Sequence, residues 1–83
     1  MSQAAPPQLP APSTAAQHAL QSLRLLIVSG ALRPGQRVNQ DVLAEQVGLS
    51  VAPVREALRA LEQEGQVTYL PRRGYFVGFS EKL

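Results

Sequence analysis

From residue 16 to residue 27 the apolar side chains return at helical spacing. Ala16, Leu20, Leu23 and Ile27 fall four, three and four positions apart, and Ala19 and Leu26 widen the stripe. The spacing predicts a helix of about four turns with one buried face, starting near Ser13 or Thr14 and ended by Gly30. Pro34-Gly35 predicts a turn, because proline presets its own dihedral and glycine accepts a positive one. Arg37-Val38 reads as a very short extended segment. Asn39 is then the expected cap of a second helix, Gln40 to Val47, which turns Val42, Leu43 and Val47 inward. Gly48-Leu49 breaks that helix after two turns, and Ser50 is placed to cap a third, Val51 to Glu64, closed by Gly65. Pro53 falls at its third position, where a missing amide hydrogen costs no intrahelical bond. Val54, Leu58 and Leu61 form its inner face, and Arg55, Arg59 and Glu62 a second stripe beside it.

After Gly65 the periodicity shortens to alternation. Val67 and Tyr69, then Tyr75, Val77 and Phe79, flank Leu70-Pro71-Arg72-Arg73-Gly74, which predicts a hairpin with a basic tip. Tyr75 and Phe76 occupy opposite strand faces, one packing on the third helix and the other covering the hairpin. The expected fold is mainly α with a small β-hairpin: a winged helix-turn-helix, three helices followed by a two-stranded wing, over residues 14–79. Residues 1–13 carry Pro6, Pro7, Pro10 and Pro12 and almost no large apolar side chains. They are expected to form a disordered arm that adds little to folding. Residues 80–83 read as an end or the opening of a linker.

Length and composition narrow the chemistry. A chain of 83 residues supports one core. With no cysteine and a single histidine, His18, it offers no disulfide scaffold, thiolate zinc site, Ser-His pair or histidine cluster. No catalytic residue, metal ligand or cofactor is therefore expected, and the chain is not read as an enzyme. No apolar run reaches membrane-spanning length and no cationic leader precedes an apolar stretch, so the expected location is the cytoplasm. The isoelectric point is about 9.7, yet Lys plus Arg exceeds Asp plus Glu by only 8 to 6. That excess permits nucleic acid as a partner without implying it.

The predicted geometry supplies the stronger argument. A recognition helix enters the major groove by its N-terminal end, which here carries Ser50, Val51, Ala52, Arg55 and, one turn on, Arg59. Arg55 is the leading candidate, since its fork can take two acceptors of guanine or clamp a phosphate, with pairing to a glutamate as the alternative. Arg59 is balanced between a phosphate contact and a surface position beside Glu62 or Glu56. Arg72 and Arg73 on a narrow turn can follow a phosphate strand or enter a minor groove, and Gly74 permits close approach.

These residues resemble the N-terminal DNA-binding domain of the GntR superfamily of bacterial transcription regulators, in the branch with an all-helical effector domain. The resemblance runs through Ile27-x-x-Gly30-x-Leu32-x-Pro34-Gly35 and Leu43-Ala44-Glu45-x-Val47-Gly48-Leu49-Ser50. It continues through Pro53-Val54-Arg55-Glu56-Ala57-Leu58-Arg59-x-Leu61-Glu62-x-Glu64-Gly65 and Arg73-Gly74-Tyr75-Phe76-Val77. It implies that Ser50 and Arg55 are recognition-helix contacts and that Arg73 and Gly74 belong to the wing. It also implies a C-terminal domain that binds a small metabolite and dimerises, to which nothing in these 83 residues corresponds. The family usually reads Ser-Arg-Thr-Pro-Val-Arg where this chain has Ser50-Val51-Ala52-Pro53-Val54-Arg55. Two polar contacts are thus replaced by apolar ones that can touch only a thymine methyl, and Asp41 stands where some relatives carry arginine.

The expected function is sequence-specific binding of double-stranded DNA by a transcriptional repressor. Helix 51–64 would lie in the major groove and the 70–75 wing along the backbone or minor groove of a palindromic operator. The isolated chain is expected to be monomeric and to pair on DNA. The alternative, motivated by Val51, Ala52 and Asp41, is a protein-interaction or vestigial winged helix with weak or no specific DNA binding.

Overall fold

Local caps set the helices. The computed structural model describes residues 13–78; residues 1–12 of the arm expected over 1–13, and the segment 79–83 with Phe79, lie outside the described residues. Helix α1 spans Thr14–Ser29, and the Ser13 hydroxyl accepts the amide of Ala16 at 3.1 Å. Helix α2 spans Gln40–Val47, with Asn39 Oδ1 accepting the amide of Val42 at 3.1 Å. Gly48, at φ 75°, turns the chain out of α2, a conformation that costs side-chain-bearing residues about 1 kcal/mol or more. Helix α3 spans Val51–Gln63, one residue short of the expected end, because Glu64 already serves as its cap.

Strands β1 (Arg37–Val38), β2 (Val67–Leu70) and β3 (Gly74–Val77) form one antiparallel sheet in the order β1-β3-β2. The predicted hairpin is β2-β3, with Tyr69 opposite Tyr75 and Leu70 opposite Gly74. The sheet departs from the predicted two strands by the addition of β1, which sets Arg37 opposite Phe76 and Val38 opposite Tyr75. The amide of Gly35 donates to Val77 O and the amide of Val77 to Gln36 O, both at 2.9 Å. A pairing over this sequence distance leaves no local periodicity, so a two-residue strand cannot announce its partner.

The core lies where α1, α3 and the sheet meet. Leu23, Val54, Leu58 and Leu61 are fully buried, joined by Leu43, Ala44 and Ala57 from the helices and by Val67, Tyr75 and Val77 from the sheet. Val42 departs from expectation: it is 47% exposed, and Leu43 and Ala44 fill the inward positions of α2. Successive helical residues turn by about 100°, so residue 42 lies on the far side of the face shared by 43, 44 and 47. Along β2 the inward face also fades, from buried Val67 to Tyr69 at 45% exposure, as the hairpin leaves the core toward its tip. Tyr75 rather than Phe76 is the buried member of its pair.

Leu58 sits at the centre of this packing. Replacing it with alanine should destabilise the domain by about 2–5 kcal/mol, through lost transfer energy and a residual cavity. Chemical denaturation of the two proteins measures this, and a midpoint equal to that of the parent would show that Leu58 is not in the core.

Candidate nucleic-acid interface

The start of α3 is exposed because its apolar residues face the other way. Val54, Ala57, Leu58 and Leu61 are buried, which leaves Ala52, Arg55, Arg59 and Glu62 on the outer side. Ser50 occupies the cap position, but unlike Ser13 and Asn39 its side chain makes no cap hydrogen bond. The other two caps bond the amide of the third helical residue, and in α3 that residue is Pro53, which has none. Pro53 thus leaves the Ser50 hydroxyl available at the tip of the helix. Val51 is half-buried against the core and Ala52 is exposed.

Arg55 is exposed and its Nε donates to Gln40 Oε1 at 3.2 Å, joining α3 to the first residue of α2. The expected alternative, a glutamate partner, is not what the side chain finds. Its terminal nitrogens make no hydrogen bond or ion pair to the described residues. Arg59 forms no ion pair with Glu56 or Glu62 and lines one pocket with Glu62, Tyr69 and Tyr75. Among the described residues the single ion pair joins Arg24 Nη1 to Glu64 Oε1 at 2.7 Å, at the opposite end of α3.

The wing turn is closed by the amide of Arg73, which donates to Leu70 O at 2.9 Å. Arg72 and Arg73 are both exposed, and Arg72 is at φ 67°, in the left-handed region that glycine or asparagine usually fills. Gly74 also has a positive φ, 102°. Two further residues were not among the sequence candidates. Gln40 orients Arg55, and Arg37 Nε donates to Arg73 O at 2.8 Å. A polar residue at the start of a helix and an arginine on a short strand are common enough that their types alone carry no signal.

A groove lined by Arg37, Asn39, Gln40, Asp41, Val51 and Arg55 runs from the wing base to the starts of α2 and α3. The structure therefore gathers Ser50, Val51, Ala52 and Arg55 at one helix end and Arg72, Arg73 and Gly74 on one turn, with Arg59 set back against Tyr75. Among the described residues no three His, Cys, Asp or Glu side chains converge as metal ligands, and no helix is long and apolar enough to cross a membrane.

Comparison with known proteins decides the family. The model of the bacterial regulatory proteins of the gntR family matches residues 15–77. The chain belongs to the gntR family. This GntR-family chain is 38% identical over 55 residues to the uncharacterized HTH-type transcriptional regulator YdhC of Bacillus subtilis (strain 168), covering 66% of the chain and 25% of that protein. It is 39% identical over 61 residues to the gluconate operon transcriptional repressor of the same strain, covering 72% of the chain and 25% of that protein. The solved structure of E. coli McbR/YncC superposes with a TM-score of 0.70 at 33% identity, over 84% of this chain and 33% of that one. The GntR-family chain thus spans about a quarter of the length of these curated relatives. It is the winged helix-turn-helix, DNA-binding domain of a transcriptional regulator, and neither the family nor these relatives are enzymes.

Behind this surface, Tyr75 links α3 to the wing of the GntR-family domain. Burial pushes its hydroxyl up from the ordinary value of 10.0 and the Glu62 carboxylate adds to the rise, while the charge and hydrogen bond of Arg59 pull it back. The raised value means that this contribution to stability is fully present below 10.0 and is lost as pH rises through the folded value. The ring of Tyr69 lies 5.0 Å from that of Tyr75, centroid to centroid. In a Tyr69→Phe background, Arg59→Met should move the Tyr75 titration still higher, as read from phenolate absorbance. A titration left in place would put the Arg59 guanidinium away from the hydroxyl.

Proposed function

We propose that this domain represses transcription by occupying a palindromic operator, with the N-terminal end of α3 in the major groove and the wing along the backbone or minor groove. One observation carries the reading: Arg55 is presented at the exposed start of α3, held through Nε by Gln40, with no carboxylate on its terminal nitrogens. An arginine fork oriented in this way suits the paired acceptors of a guanine. Ser50 offers its hydroxyl to a phosphate, Val51 and Ala52 offer methyl contacts, and Arg59 lies at the groove margin. Arg72, Arg73 and Gly74 form the wing contact. Repression is favoured by similarity to a relative named as a repressor. The setting for such a protein is the cytoplasm.

The apolar pair Val51-Ala52 and the exposed Asp41 favour a second reading, a winged helix that binds a protein partner and DNA only weakly. Fluorescence anisotropy separates the two. Arg55→Ala should lower discrimination between an operator selected from genomic fragments and a scrambled duplex by about 1–3 kcal/mol. Replacing Arg72 and Arg73 with glutamine should weaken both duplexes alike. Uniform weak binding by the parent protein, unaffected by Arg55→Ala, would favour the second reading.

The same proposal makes this chain a monomer in solution that pairs on adjacent half-sites, since most apolar side chains of the helices pack into its own core and, of the large ones, only Leu25 and Val28 of α1 and Val42 of α2 stand exposed. Sedimentation at micromolar concentration should show the monomer, and a dimer persisting below micromolar concentration would overturn that state.

A further inference from the structure

Arg37 is exposed on β1, yet its guanidinium is fixed at one edge. Nε donates to Arg73 O at 2.8 Å, so a side chain on the strand that precedes α2 grips the backbone of the wing turn. The contact continues at Gly74, where a Cβ would lie 3.6 Å from both Nε and Nη2 of Arg37. Arg37 enters no ion pair among the described residues. It shares a groove with Arg55, whose Nε is likewise held, by Gln40. Two guanidinium groups therefore line one groove, each anchored through Nε and each with its terminal nitrogens left to a ligand. Asp41 is the carboxylate of that groove, and it pairs with neither of them. Two cations against one unpaired carboxylate leave the groove with a net positive charge that favours an anion, and charge-assisted bonds from terminal guanidinium nitrogens are directional enough to place it.

We infer that Arg37 acts as the positioning residue of the wing and, through its terminal nitrogens, as a contact to a backbone phosphate of duplex DNA lying between the wing and α3. The inference rests on the DNA-binding reading above and adds to it a residue outside both the recognition helix and the wing tip. The two roles use different edges of one planar group, so a lysine can serve only one at a time. The first role ties the wing turn to the strand leading directly into α2.

The test compares the parent with Arg37→Gln and Arg37→Lys by anisotropy across a salt series, on the selected operator and on a scrambled duplex. Arg37→Gln should weaken both duplexes and flatten the dependence of log affinity on log salt by about 0.9, the loss of one phosphate contact. Arg37→Lys should keep the parent slope and lose affinity by about three- to tenfold, because the ammonium reaches the phosphate only by releasing the wing. Thermal midpoints of both variants should stay within a few degrees of the parent, since the residue is exposed, and a purely structural role would leave the salt slope untouched. A parent slope in Arg37→Gln overturns the phosphate contact, and parent affinity in Arg37→Lys overturns the positioning role. Arg55→Ala, measured in parallel, separates the levels. Lost discrimination there, with Arg37→Gln unchanged, removes Arg37 alone, whereas a parent protein that binds no duplex removes the DNA-binding reading and this inference together.

Discussion

The burial of one face of α3 determines what the rest of the domain can present. Val54, Ala57, Leu58 and Leu61 are held by α1 and the sheet, and a helix with that face committed has only its opposite side to offer. Arg55, Arg59 and Glu62 are outward for this reason, and the hydrogen bond from Arg55 to Gln40 orients a side chain already outside the core. Each large apolar side chain in this face contributes about 1.5–3 kcal/mol when fully buried, whereas the exposed pair of Arg24 with Glu64 is screened by solvent and contributes far less. The core, not the charges, orients the helix, so the arginines are released for recognition.

The sheet extends that constraint to the wing. Because β3 lies between β1 and β2, the hairpin is tied on one edge to the strand that leads into α2 and is not a free arm. Tyr75 anchors β3 in the core and lines one pocket with Arg59 of α3. At the tip the chain accepts an arginine in a left-handed conformation, worth about 1 kcal/mol or more of strain. A glycine at position 72 would relieve that strain and remove a guanidinium from the turn, which is consistent with a site where side-chain chemistry outweighs local stability.

Pro53 shows the same exchange between stability and availability. At the third position of α3 it removes the amide that the cap side chains of α1 and α2 bond, so α3 forgoes a side-chain cap and the Ser50 hydroxyl remains unused. Substituting a cap typically costs about 1 kcal/mol, which a helix anchored by four buried residues tolerates. A helix held mainly by tertiary packing can expose an undercapped end, and that end is the one directed to the proposed groove.

Much of this was legible in the chain. Apolar spacing located α1, α2 and α3, the capping residues Ser13 and Asn39 marked two starts, and alternation around a basic turn marked β2 and β3, because those signals are written by neighbours a few positions apart. The type and approximate place of Arg55, Arg72, Arg73 and Gly74 followed from the same local order. The inward face of α2 was misplaced at Val42 because two turns give too few repeats to fix a helix's rotation. Only the tertiary structure decided that β1 joins the sheet, that Arg55 rests on Gln40, 15 positions earlier, and that Arg37 grips the carbonyl of Arg73, 36 positions later. Each of these depends on two distant segments being brought together by burial of the core, and a single-residue pattern holds no record of a partner that only folding supplies.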